Sequence, residues 1–308
     1  MNFKLVICVV ASMLGLSGCS IHESTSGSTM GPSGNSSNGL PSKRISIGKM
    51  HPEIRPNHIV IVIEENHSYS EIAGNPQAPY INELMHNGAN FTNYHGVEHP
   101  SEPNYLSLFS GQDQGVTDDS CPHTFTGPNL ASELHGAGLT FGGYSEDLPS
   151  VGFIGCSNSA MWYFHGTYAR KHNPWVNFTN VPVQENMPFT AFPKDFNQLP
   201  TVSFVIPNLE HDMHNGSIRN ADAWLKQNIG SYREWSKTHD SLLIVTWDED
   251  DNSVGNHVPA ILVGPMILSG MYAENVNHFH LLRTIEELYG LAYLGNSSGV
   301  VPLQGIWR

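Results

Sequence analysis

The chain is 308 residues long and acidic, with 28 Asp and Glu against 14 Lys and Arg and a formal net charge of −14. That balance excludes a nucleic-acid surface, because phosphate backbones demand basic patches. The length beyond the N-terminal segment suits one domain of ordinary size, and no internal repeat divides it.

Met1-Asn2-Phe3-Lys4 opens the chain and precedes an apolar stretch over residues 5–16, too short for a stable membrane span. The stretch runs into Leu16-Ser17-Gly18-Cys19, which resembles the lipobox of bacterial lipoproteins. The resemblance implies that residues 1–18 are a signal peptide, that Cys19 is acylated, and that the protein is exported and held in the membrane by this anchor. Ser20 rather than Asp after the cysteine favours the outer membrane or cell surface. The competing reading is an ordinary secretory signal that happens to contain a cysteine. Residues 19–50 are Ser, Gly, Asn and Thr with few apolar side chains, and read as a flexible tether to a folded domain over 51–308.

Residues 58–63 form a β-branched run that predicts a buried strand. Residues 79–88 begin with Pro, end with Gly and place Ile81, Leu84 and Met85 on one face, which predicts a helix. Helices are expected over 104–109, just beyond Ser101, and over 129–136, the latter leading to a short strand at 139–144. Residues 145–199 are rich in Pro, Asn, Gly and aromatics without a clear period. They read as an insertion shaping one wall of a site rather than as a second domain. Strand 201–206, helix 221–237, strands 241–247 and 258–263, and helix 278–290 complete the series. In the last helix Leu281, Leu282, Ile285, Leu288 and Tyr289 make an apolar stripe. Such alternation predicts an α/β fold whose central sheet is mainly parallel, with helices on both faces.

Removal of the signal leaves Cys121 and Cys156 in the domain. In an oxidising compartment they most simply form one disulfide, closing a loop worth about 3 kcal/mol by chain entropy. Two buried free thiols are the alternative; a zinc site is disfavoured because neither has a Cys-x-x-Cys partner.

Several polar motifs follow the apolar runs. Glu65-Asn66 come directly after the first strand, and Asp248-Glu249-Asp250-Asp251 directly after 241–247. Ligands of open α/β sheets bind outside the carboxyl ends of the strands, so these groups are expected to converge. Polar residues often merely close a strand, but four successive acids repel one another unless a cation or solvent relieves them. Hard divalent cations prefer the carboxylate and amide oxygens of Glu65, Asn66, Asp248 and Glu249. Alternation turns Glu64 to the opposite face, and Asp250 and Asp251 are expected to run on into solvent.

Ser101 stands at a helix entrance, where serine commonly serves as an N-cap. The same place, with free N–H groups and the positive dipole end, favours phosphate and an alkoxide nucleophile. Asn104 is a turn further on, with its amide available for a phosphate oxygen, and His99 lies just before. Histidines at other strand ends, His211 and His214 beside Asp212, and His257 beside Asn256, offer cationic partners and a proton donor.

Glu64-Glu65-Asn66-His67-Ser68-Tyr69, the run from His99 to Gly111, Pro207 to Ser217, Thr246 to Asp251 and Asn256 to Pro265 resemble, in this order, motifs of the acid phosphatase/phospholipase C phosphoesterase family of the alkaline phosphatase-like superfamily. The nearest likeness is to bacterial secreted acid phosphatases, including phosphatidylinositol 3-phosphate phosphatases. The resemblance implies that Glu65, Asn66, Asp248 and Glu249 bind one divalent metal together with Ser101, the nucleophile that becomes phosphorylated. It further implies roles in catalysis for His211, His214 and His257, and in substrate contact for His99, Asn104 and Asp212. The expected activity is metal-dependent hydrolysis of phosphate monoesters, a phosphoinositide among them. The rivals are a phospholipase C-type phosphodiesterase on the same scaffold and a non-catalytic cation-binding surface lipoprotein.

Overall fold

Runs of Val, Ile and Leu that alternate with amphipathic helices must hide both faces of their strands. A computed structural model shows how, for residues 54–159, 166–253 and 255–308. The signal peptide over 1–18, the acylated Cys19 and the tether over 19–50 lie outside the described residues. The elements in chain order are β1 (Ile59–Glu64), α1 (Tyr69–Ile72), α2 (Pro79–Asn87), β2 (Ala89–His95), α3 (Ser101–Ser110), α4 (Leu130–Gly136), β3 (Phe141–Ser145), β4 (Asn186–Pro188), β5 (Val202–Ile206), α5 (Ile218–Ser236), β6 (Leu242–Trp247), β7 (His257–Val263), β8 (Gly270–Tyr272), β9 (Val276–Asn277) and α6 (His278–Tyr289).

These strands make one sheet in the order β4-β3-β5-β1-β6-β7-β2-β8, with β9 paired to β2. From β4 to β6 every pairing is parallel. β7 then runs antiparallel to both β6 and β2, because the link over residues 248–256 is too short for a crossover. The mainly parallel α/β sheet expected from the sequence is present. β2 was not foreseen: its Asn, Thr and His residues break the apolar run, and its pairing with β7 is irregular between Phe91 and Tyr94.

Helix α3 lies on the face of the sheet that carries Phe204, where Phe109 meets Phe141 at 5.4 Å and Phe204 at 5.8 Å. Gly143 is required there, since a Cβ would fall 2.2 Å from the Trp175 ring. The opposite face takes α5: burial, and then its Asp222, raises the pKa of Glu64, and the same Asp222 accepts the Ile81 N–H of α2 at 2.8 Å. Glu64 and Glu65 thus leave β1 toward opposite faces, as alternation requires. β1 and β6 are paired up to Glu64 and Trp247, so Glu65 and Asp248 emerge side by side at the carboxyl edge. Cys121 and Cys156 are joined in a disulfide, Cα–Cα 5.9 Å, that ties the segment after α3 to the insertion. Among the described residues no helix is long and apolar enough to cross a membrane.

Candidate active site

Ser101 is the first residue of α3, and its hydroxyl does not cap the helix. Its Oγ lies instead 3.2 Å from Glu65 Oε2 and 3.0 Å from Glu249 Oε1, with the residue 1% exposed. One proton serves one of these acceptors at a time. Asn66, bent out of the strand by a left-handed φ of 41°, donates its backbone N–H to Asp248 Oδ1 at 3.4 Å and its amide to Glu249 Oε1 at 3.0 Å. Tyr105, one turn along α3, donates its hydroxyl to Glu65 Oε1. His172 places Nε2 3.2 Å from Glu65 Oε1 and Nδ1 3.5 Å from Asp212 Oδ2. Glu65 is bound to Asp212 through the backbone as well, N–H to O at 2.7 Å.

Four carboxylates, Glu65, Asp212, Asp248 and Glu249, are therefore buried in one cluster, two of them on the Ser101 hydroxyl. Burial, and then Asp212, pushes the Glu65 pKa well up; burial, then Glu65 and Glu249, does the same to Asp248. Asp212 and Glu249 are raised chiefly by burial, against which His99 lowers Glu249. Lys171 is the ammonium in their field. Burial lowers its pKa, but Glu65, Asp119 and Asp248 outweigh that and hold it raised. His172 is depressed by burial and by Lys171, so it is the neutral imidazole.

The side chains fit a divalent cation. Asn66 Oδ1, Asp212 Oδ2 and Asp248 Oδ2 are buried without a hydrogen-bond partner, a costly state for polar oxygens that a cation would relieve. Glu65, His172 and Asp212 also bring ligand atoms within 4.8 Å of one another.

Other residues singled out in the sequence are placed differently. Asn104 is not free for phosphate: its Oδ1 accepts Val97 N–H at 2.9 Å and Glu98 N–H at 3.0 Å, and its amide donates to the Glu98 and Pro100 carbonyls. It holds the loop that delivers Ser101. His211 is drawn to Glu146 at 2.9 Å and stacks on Trp224, away from Ser101. His257 faces β2, with Nε2 3.0 Å from Thr92 O and its ring on Tyr69 and His95. His99 stays at the site but contacts Glu249 and Asp250. Asp250 is buried rather than solvated, accepting the Asn252 N–H at 2.8 Å. His214 is exposed at the rim, its ring 5.9 Å from that of His172. Asp212 sits against His172 and Glu65.

Tyr105, Asp119, Lys171, His172 and His278 escaped the sequence reading. Tyr105 was within reach, four positions after Ser101 on one helix face. Lys171 and His172 come from the aperiodic insertion, where only the basic run Arg170-Lys171-His172 in an acidic chain marked them. His278 opens α6 and supports β6 from behind: Nε2 donates to Asp248 O at 2.6 Å and Nδ1 accepts from Tyr94 at 2.9 Å. Burial lowers its pKa to about 4, which keeps it neutral.

A family model described as the Phosphoesterase family matches residues 75–292. The phosphatidylinositol-3-phosphatase of Mycobacterium tuberculosis is 50% identical over 253 residues, covering 81% of this chain and 82% of that one. A probable acid phosphatase of Kluyveromyces lactis is 31% identical over 78% of this chain, which spans 59% of the yeast protein's length. Among solved structures, a protein in the alkaline phosphatase superfamily from Vibrio parahaemolyticus superposes with a TM-score of 0.54 at 15% identity, over 81% of this chain and 71% of that one, a likeness of fold. With a family model spanning most of the domain and a half-identical relative, the chain belongs to the phosphoesterase family, enzymes that hydrolyse phosphate esters.

Proposed function

We propose that the protein is an acid phosphatase that hydrolyses phosphate monoesters through a phosphoserine at Ser101, and that a phosphoinositide is among its substrates. The observation that carries this reading is the Ser101 hydroxyl, which leaves its own helix uncapped and sits between Glu65 and Glu249. As Oγ attacks phosphorus, one of those carboxylates takes its proton. The P–Oγ bond forms while the bond from phosphorus to the leaving alkoxide breaks, and the alkoxide receives a proton from a histidine at the rim. Water then hydrolyses the phosphoserine and frees Ser101. The N-terminus of α3 and Lys171 face the phosphate oxygens and offset their charge.

Glu65, Asn66, Ser101, Asp248 and Glu249 would hold a divalent cation, with Asp212 and His172 at its edge. Such an ion, when bound, neutralises the acids and lowers the pKa of the hydroxyl. The phosphoinositide assignment rests on the half-identical mycobacterial relative. The Leu16–Cys19 motif supports a lipid anchor that holds the enzyme at a membrane, where such a substrate lies.

Ser101→Ala is the decisive variant. Loss of the nucleophile should cost several powers of ten in kcat for p-nitrophenyl phosphate, and acid quench of the wild type should trap phosphate on the peptide containing Ser101. Asp248→Asn should weaken cation affinity and activity together. A folded, cation-loaded Ser101→Ala protein with near wild-type turnover would refute the reading.

A further inference from the structure

Lys171 stands under opposed pulls. Glu65 and Asp248 attract its ammonium inward. Outward, Nζ donates to Asp119 Oδ2 at 2.7 Å. The other oxygen of the same carboxylate, Oδ1, accepts the Glu102 N–H at 3.0 Å, the first amide after Ser101. One side chain thus joins the ammonium to the N-terminal turn that carries the hydroxyl. Its own position is secured twice. Cys121, two residues on, is bonded to Cys156, whose carbonyl accepts the Arg170 N–H at 3.0 Å. The Arg170 guanidinium also donates to Ile154 O at 2.6 Å and His123 O at 2.9 Å. The segments bearing Asp119 and Lys171 are clamped to each other.

We propose that Asp119 is a positioning residue. It holds Lys171 away from the buried acids and in register with Ser101, so that the ammonium meets the substrate phosphate instead of collapsing onto Glu65 and Asp248. This rests on the phosphatase reading above, but its test is separable. Without Asp119 the carboxylates left in the field of the ammonium are Glu102 and the inner acids Glu65, Asp212 and Asp248, and a move onto the inner acids takes the charge from the phosphate. Asp119 touches no reacting atom itself; its effect runs through Lys171.

The test compares Asp119→Asn, Asp119→Glu, Lys171→Met and the double variant Asp119→Asn/Lys171→Met. Each is measured for kcat and KM on p-nitrophenyl phosphate, for the inhibition constant of inorganic phosphate, for calorimetric phosphate binding and for Tm. Asp119→Asn should raise KM and the phosphate inhibition constant about tenfold and change kcat less, Asp119→Glu should restore part of the loss, and Asp119→Asn should add under about twofold once Lys171 is gone. An equal loss with and without Lys171, or a loss that tracks Tm alone, assigns Asp119 a merely structural role and overturns the proposal. Tighter phosphate binding in Asp119→Asn also overturns it, by making Asp119 a competitor for the anion site. Should the wild type bind phosphate without hydrolysing it, the phosphatase reading fails while the binding data still decide on Asp119. A wild type that neither hydrolyses nor binds phosphate sinks both.

Discussion

In the proposed reaction a histidine protonates the leaving group, and burial limits which of the imidazoles near Ser101 could do so. His172 and His278 are held neutral by burial. His99 is committed to Glu249 and Asp250, and His211 and His257 point elsewhere. Of the histidines singled out in the sequence, His214 remains: its backbone N–H is fixed on Asp212 Oδ1 at 2.8 Å while its ring stands at the exposed rim beside His172. We therefore predict that His214→Ala slows esters of aliphatic alcohols by about 10²-fold or more, the usual worth of a general acid. p-Nitrophenyl phosphate, whose leaving group needs no proton, should be affected far less. Equal slowing of both substrates would remove His214 from that role.

At the scale of elements, α6 carries a carboxyl whose titration is a stability test remote from the site. Glu286 is fully buried, accepts the Leu294 N–H and Ser297 hydroxyl at 2.9 Å, and has a pKa raised by burial to about 7. The protonated form is favoured by folding, so its contribution is complete below the ordinary value of 4.5 and is lost as pH rises through about 7. Glu286→Gln keeps an acceptor for Leu294 and mimics the protonated acid. It should flatten the fall of Tm between pH 5 and 7, a difference on the order of 2 kcal/mol; an unchanged slope would place the titration elsewhere. The elements themselves were legible wherever an apolar period was strong, as in β1, β5, β6, α5 and α6. β2 and the antiparallel sense of β7 were not, because mixed polar residues hide a strand and direction depends on link length. The site divided along the same line. Glu65-Asn66 and Asp248-Glu249 showed because they end β-branched strands, and Ser101 because it opens a helix. Lys171 and His172 stayed hidden because a wall without a period gives no facing. Asn104 was misjudged because an amide serves a ligand or a loop with the same chemistry, and only its neighbours tell which.

For the whole molecule, the N-terminal segment makes a prediction independent of the catalytic one. If Leu16–Cys19 is a lipobox, the mature protein begins at an acylated Cys19, partitions into detergent, and is released or mislocalised by Cys19→Ser. Mass spectrometry of the mature N-terminus checks this directly, and a soluble wild type with an unmodified Cys19 would disprove the anchor. Several acyl chains on one residue suffice for stable attachment, where one chain does not. The net charge of −14 then has a setting: an acidic body repelled by an acidic membrane surface and held near it by the acyl anchor.

The seam between β1 and β6 has one more effect. Asn66 and Asp248 touch across a separation of 182 positions, so the acids of the two strand ends do not meet until the last third of the chain has been laid beside the first. Contacts of that range are formed slowly, and here their closing step brings like charges together. A cation held by these acids would turn the mutual repulsion into shared coordination, and its binding energy would add to the stability of the folded chain by mass action. An ion that lowered the pKa of the hydroxyl would thus also rivet the two strand ends together, and a chain that had not brought those ends side by side would have no site to offer it.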